Sequence, residues 1–142
     1  MQQGIGISYS DIYLKKERML IVMSKINIKR GQLIWVDFKE RSGSCQNGKR
    51  PAVVMQNNIG NRFSTTTTVI PITTKDKNNL PVHTKLTKSY DIANEGDVIM
   101  AEQLTVIDKS QILKIGDVLD NTDIKAIEKA MLIQLSLDVN IA

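Results

Sequence analysis

The chain has 142 residues, of which 42% are hydrophobic and 24% charged, and a formal net charge of +4. That suits one domain with a single core and an ordinary globular composition. Cys45 is the sole cysteine, which excludes an internal disulfide and a cysteine-based metal site, and no apolar run is long enough to span a bilayer.

Taken in chain order, residues 1–24 differ in character from the rest of the chain. Residues 1–10 are polar and contain glycine without a clear period, Lys15-Lys16-Glu17-Arg18 is charged, and residues 19–23 are apolar. We expect an extension over 1–24 that the fold does not need, with Met19 and Met23 as alternative starts, and a folded domain over 25–142. Residues 31–38 alternate, with Leu33, Trp35 and Asp37 on one face and Ile34, Val36 and Phe38 on the other, which predicts a first strand. A loop follows over 39–49, then a buried strand over 52–56 and a turn in the Asn57-Asn58-Ile59-Gly60-Asn61 cluster. Residues 65–73 are rich in β-branched side chains and predict a strand, with Pro71 arguing for an edge or a bulge. A polar turn over 75–80, a strand over 82–86, one long strand or two separated by a kink over 97–107, and a short strand over 112–118 complete the series. Then Asp120, Asn121 or Thr122 can cap a helix whose apolar face carries Ile124, Ile127, Ala130, Met131, Leu132 and Leu135. The sum is a mainly β fold, a small barrel of short strands with a C-terminal α-helix.

Charge is unevenly spread. Residues 25–62 hold eight Lys or Arg against Asp37 and Glu40, whereas residues 91–123 hold eight Asp or Glu against Lys109 and Lys114. The basic stretch would attract a polyanion, nucleic acid above all. Trp35 is the only tryptophan, so extended base-stacking platforms are not expected. Inside the basic stretch, Gly43-Ser44-Cys45-Gln46-Asn47-Gly48-Lys49-Arg50-Pro51 ends a polar loop in an arginine locked by a proline before an apolar strand. A guanidinium so rooted can hold a phosphate through two parallel hydrogen bonds; the same pattern also fits a plain surface arginine at a strand start. The single histidine, His83, reads as a structural residue of its strand, and Cys45 has no adjacent histidine to make it a catalytic thiol.

The order of these pieces resembles the MazF/PemK family of toxin endoribonucleases over about 29–137. Arg30-Gly31 precedes the first strand, the Gly43-to-Pro51 motif follows, and Val53-Val54-Met55-Gln56-Asn57 runs into Asn58-Ile59-Gly60-Asn61-Arg62-Phe63-Ser64. Ile70-Pro71-Ile72-Thr73, Leu80-Pro81-Val82-His83, Ala101-Glu102-Gln103 and Ile107-Asp108-Lys109 come after them in the same order. The resemblance implies an SH3-like barrel of the CcdB/MazF type, a homodimer, and sequence-specific cleavage of single-stranded RNA; the lone cysteine fits a reducing cytoplasm. The resemblance also implies a cognate antitoxin, for which charge suggests an acidic flexible segment. It makes Arg50 the main catalytic group and Thr73 the second. Ser44, Gln46, Asn47, Lys49 and Gln103 are the expected RNA-binding residues.

No cofactor and no metal are expected, because RNA carries its own nucleophile in the 2′-hydroxyl. A guanidinium donates protons poorly at neutral pH, so Arg50 is expected to act through charge. Three positions depart from the family: Cys45 replaces a usual glutamate, Asn47 a small residue, and Thr105 a frequent arginine. The competing readings on the same barrel are a gyrase poison like CcdB and a non-catalytic nucleic-acid-binding protein; the Arg50-Pro51 loop and Thr73 favour the ribonuclease.

Overall fold

The apolar runs of the middle strands are buried on both faces, and that sets the architecture. The computed structural model describes residues 6, 8–24, 26–74 and 79–137, with the backbone alone for 19–24. Strands β1 (Gln32–Asp37), β2 (Lys49–Val54), β3 (Thr66–Thr73), β4 (His83–Lys85), β5 (Val98–Met100), β6 (Thr105–Asp108) and β7 (Ile112–Val118) form one antiparallel sheet. Helices α1 (Tyr9–Ser24), α2 (Asn58–Phe63) and α3 (Asn121–Gln134) complete the fold. The strand order is β4-β5-β3-β2-β1-β7, with β6 also on β3, so the small barrel is an open one whose sheet does not close.

Successive residues of a strand point to opposite faces. Leu33, Val53, Ile70 and Ile72 therefore enter one apolar cluster with Ile99, Leu119 and Ile127 of α3. Ile34, Val36, Ala52, Val54 and Val69 enter a second with Ile28, Phe38 and Ile107. Gly31 lets the chain enter β1 close under the helix. Its φ is +85°, and a β-carbon there would lie 2.6 Å from Cδ1 of Ile124.

Several elements differ from expectation, each for a local reason. β2 begins at Lys49, so Arg50 and Pro51 lie in the strand and not before it, paired with Val36 and Trp35 of β1. β3 is central, not an edge: it pairs with β2 on one side, and with β6 and then β5 on the other. Pro71 is tolerated because it falls between the β6 partners, which end at Val69, and the β5 partners, which begin at Ile72.

The Asn57 cluster is a short helix rather than a turn, because the Asn57 side chain accepts the Gly60 N–H at 2.8 Å and caps it. Buried Lys109 donates from Nζ to the Asn61 carbonyl at the end of α2, and burial pushes its pKa down. Residues 97–107 form β5 and β6 separated by a 3-10 turn at Ala101–Gln103. Much of the extension 1–24 is helical, with Tyr9, Ile12, Tyr13 and Leu14 exposed. The turn expected over 75–80 lies largely outside the described residues. No helix of the described residues is long and apolar enough to cross a membrane.

Candidate active site at the root of the β1–β2 loop

Residues 39–48 form a loop closed at its base by backbone hydrogen bonds. Phe38 N–H donates to the Gly48 carbonyl at 2.9 Å, and Gly48 N–H donates to the Lys39 carbonyl at 3.0 Å. Gly48 has φ +72° with open space where a side chain would stand, so glycine is needed there for conformation, not for room. Asp37 fixes the other side of the base. Its carboxylate accepts the Lys39 N–H at 3.0 Å and pairs with Lys39 Nζ at 3.2 Å. Those two hydrogen bonds, the backbone one first, hold the Asp37 pKa below the usual carboxylate value.

Arg50 is half-buried, and its Nε donates to the Asn47 carbonyl at 2.9 Å. Among the described residues no carboxylate pairs with it, so the terminal nitrogens of its fork are unengaged. Thr73 ends β3 and is 5% exposed. The β2–β3 register pairs Ala52 with Pro71. That is the last pair of the β2–β3 ladder, so Arg50 and Thr73 each lie two residues past it at the same end of neighbouring strands. A fork with free donors beside a hydroxyl is a pair suited to a phosphate.

The other expected site residues fall into two groups. Asn47 and Lys49 are exposed and shortly precede Arg50 in sequence. Ser44 is exposed and Gln46 half-buried, and both are held by Gln103. Gln103 lies in the 3-10 turn and not on a strand, and its amide is already engaged. Its Nε2 donates to the Ser44 carbonyl at 3.3 Å, and its Oε1 accepts the Gln46 N–H at 3.2 Å. It therefore staples the loop to the sheet.

His83 Nε2 lies 2.6 Å from Glu102 Oε1, an arrangement that fits a structural role. Cys45 is exposed. Sequence reading passed over Arg41, whose Nη2 donates to Thr105 Oγ1 at 2.7 Å across 64 residues of chain. Nothing in the local pattern could signal so distant a contact.

Two clefts lie away from this loop. One of about 700 Å³ runs along α3 beside Arg30, Met131, Leu132 and Leu135, and one of about 480 Å³ lies between Ile28 and Arg62. Neither includes Arg50 or Thr73. Among the described residues no group of three or more His, Cys, Asp or Glu is placed to hold a metal ion.

Residues 29–135 match the family model described as PemK-like, MazF-like toxin of type II toxin–antitoxin system. The chain is similar to Endoribonuclease EndoA of Bacillus subtilis, with 38% identity over 112 residues, covering 78% of this chain and 96% of the relative. It is also similar to Endoribonuclease MazF of Staphylococcus saprophyticus, with 32% identity over 111 residues, covering 78% and 92%. Among solved structures, a mycobacterial endoribonuclease in complex with its cognate antitoxin superposes with a TM-score of 0.67 at 18% identity, covering 80% of this chain and 99% of that one. MazF from Deinococcus radiodurans superposes with 0.64 at 20% identity, covering 78% and 97%. These structural likenesses, at such identities, bear on the fold.

Proposed function

The chain belongs to the PemK-like, MazF-like toxins of type II toxin–antitoxin systems, and from that premise we propose that it is an endoribonuclease that cuts single-stranded RNA at a short specific sequence. The observation that carries this reading is Arg50: a guanidinium pinned through Nε, with its remaining donors free and no counter-ion among the described residues.

In the proposed reaction the substrate's 2′-hydroxyl attacks the adjacent phosphorus and the 5′-oxygen leaves. The phosphoryl oxygens gain negative charge on the way to the pentacovalent transition state, and Arg50 neutralises it from a fixed position. Thr73, at the same end of the neighbouring strand, donates to a phosphoryl oxygen or orients the 2′-hydroxyl. The loop carrying Ser44, Gln46 and Asn47, with Lys49 beside it, receives the flanking nucleotides. Gln103 sets the loop's position and contributes to binding through it. Because the substrate supplies the nucleophile and Arg50 the charge, cleavage proceeds without a divalent metal.

The biological setting follows the same reading. A homodimer would cover exposed apolar residues such as Leu113 and Ile115 on edge strand β7 and Ile59 and Phe63 on α2. The endoribonuclease of mycobacterial origin was solved with its cognate antitoxin; for this chain the proposed inhibitor is an antitoxin whose acidic flexible segment folds over the basic loop and displaces RNA. Charge reversal at Lys49 or Arg62 would slow that association. Residues 1–24 are proposed to be dispensable, with the working domain at 25–142.

The test is to incubate RNA with the protein in excess EDTA and analyse the fragment ends. The expected products carry a 5′-hydroxyl at one end and a 2′,3′-cyclic phosphate, or its opened form, at the other. Strict magnesium dependence or 5′-phosphate products would indicate attack by water and reject the mechanism. Folded protein that cuts no RNA would favour the gyrase-poison or non-catalytic binding alternatives.

A further inference from the structure

Arg41 and Arg50 bracket the same loop, one near each root, and both lack a carboxylate partner among the described residues. Arg41 is half-buried. Its Nη2 donates to Thr105 Oγ1 at 2.7 Å, and its Cζ lies 5.7 Å from the centre of the Phe38 ring. Phe38 is 3% exposed, so the ring walls the guanidinium on one side but cannot stack a base. A guanidinium has five N–H donors, and the threonine hydroxyl takes one without neutralising any charge. By contrast, Arg30, just before the start of β1, is held by Glu128 at 3.0 Å.

The floor on which Arg41 rests is also the floor of the loop. Thr105 lies two residues beyond Gln103, which holds the backbone at Ser44 and Gln46. Arg41 is thus fixed relative to the same stretch that fixes the expected binding loop, and its open donors are preorganised for an anion. We propose that Arg41, oriented by Thr105, binds a backbone phosphate of the RNA other than the scissile one. The inference rests on the ribonuclease reading and adds a second substrate-binding guanidinium, supplied by the loop and held to β6 through Thr105. Arg41 reads charge and sets affinity; Thr105 is a positioning residue.

The experiment uses the full chain and an RNA oligonucleotide containing the cut site mapped for the wild-type protein. Cleavage kinetics are followed across a range of salt concentrations, and an analogue with a single 2′-deoxynucleotide at the cut site is used for binding. Arg41→Ala is expected to raise KM roughly 10-fold with kcat within about twofold, since a charge-assisted hydrogen bond to substrate is lost but not the chemistry. The slope of log affinity against log salt should become shallower by about 0.7, the share of one phosphate contact in a single strand. Arg41→Lys should keep the wild-type slope with weaker binding. Thr105→Val should raise KM by a smaller factor and leave the slope unchanged, because the charge remains while its orientation is lost.

Unchanged KM and slope in Arg41→Ala would overturn the proposal while leaving the enzyme reading intact. So would a changed preference at one nucleotide, which would mean base reading, or a collapse of kcat at constant KM, which would mean chemistry. A wild-type protein that neither binds nor cuts RNA would remove the ribonuclease reading and this proposal together. Thermal melts of all three variants separate a misfolded protein from an altered site, and Arg41→Lys and Thr105→Val keep the question open to refutation if Arg41→Ala does not fold.

Discussion

The basic stretch at 25–62 and the acidic stretch at 91–123 carry equal numbers of charges of opposite sign, yet the fold uses them in opposite ways. The acidic side chains are mostly consumed by the structure. Asp123, 2% exposed, accepts the Thr87 N–H at 3.1 Å and the Tyr90 hydroxyl at 2.7 Å. Asp97 accepts the Asn94 N–H at 2.8 Å, and Asp108 caps a 3-10 turn through the Ser110 N–H at 2.9 Å. Asp91 and Asp117 each accept the other's N–H, at 3.0 and 3.2 Å. Carboxylates are acceptors, and loops have spare N–H donors, so an acidic run can disappear into turns and caps.

The basic side chains of 25–62 are absorbed less completely: Arg30 and Arg50 each give one Nε–H to a backbone carbonyl, which leaves their charge uncompensated by that bond. Arg30 and Lys39 find carboxylates. Arg41, Arg50 and Arg62 form no salt bridge among the described residues. A charge count alone would rank the two stretches alike; the hydrogen bonds make one of them scaffold and leave the other open to a partner.

Breaking the open side should cost activity and little stability. Arg50→Ala is expected to lower the cleavage rate roughly 100- to 1000-fold, the usual loss for one charge-stabilising group, with a thermal midpoint near that of the wild type. Arg50→Lys should also be poor, because the fork geometry is lost. Wild-type turnover by the alanine variant, measured in single-turnover assays, would erase the distinction between the two regions.

Breaking the absorbed side should do the reverse. Asp123→Leu strands the Thr87 N–H and the Tyr90 hydroxyl and should cost about 2–3 kcal/mol of stability. Cleavage per folded molecule should be unchanged. Urea titration and active-site-normalised kinetics check both halves, and an equal loss of activity would show that the seam under α3 also shapes the site.

A smaller loss, of roughly 10-fold in rate, is expected for Thr73→Ala, with Thr73→Ser retaining more, as for a single neutral donor. Equal losses in both would instead point to a packing role for this buried side chain.

The seam also has a pH signature. Burial, and then the hydrogen bond to Asp123, push the Tyr90 pKa from 10.0 up to about 12, although the Asp120 N–H that its oxygen accepts pulls the other way. A pKa raised on folding stabilises the protein below the unfolded value, and that stability is lost as pH rises from about 10 to about 12. Tyr90→Phe should flatten this part of the stability–pH curve measured by denaturant melts. The least effect is expected from deleting residues 1–22, which should leave activity and oligomeric state unchanged by scattering and kinetics; an unfolded product would move the domain boundary into α1.

How much of the fold and site was legible in the sequence depended on distance along the chain. Alternation in 31–38 and the apolar spacing of α3 report local periodicity, so those elements could be read directly. The Gly43-to-Pro51 motif located the loop, but not that β2 starts at Lys49, which becomes visible only when Asp37 pairs with it. Asn57-Asn58-Ile59-Gly60-Asn61 carries turn residues that also suit a capped helix, and the capping bond decided between them. Pro71 misled because a central strand tolerates it where two neighbours meet end to end.

Gln103 could be chosen as a site residue by resemblance, but its bonds to Ser44 and Gln46 cross more than fifty residues and leave no trace in local pattern. The same is true of Arg41 and Thr105. Side chains that staple a loop to a sheet are tertiary facts, and in this molecule they are also what fixes the open charges in place.

The most direct test of the central claim, that this chain positions an RNA so that its own 2′-hydroxyl cuts it, is one atom in the substrate. An oligonucleotide carrying a single 2′-deoxynucleotide at the mapped cut site should bind with nearly unchanged affinity and remain intact in the presence of the wild-type protein. Cleavage of that oligonucleotide at the same bond would contradict the claim.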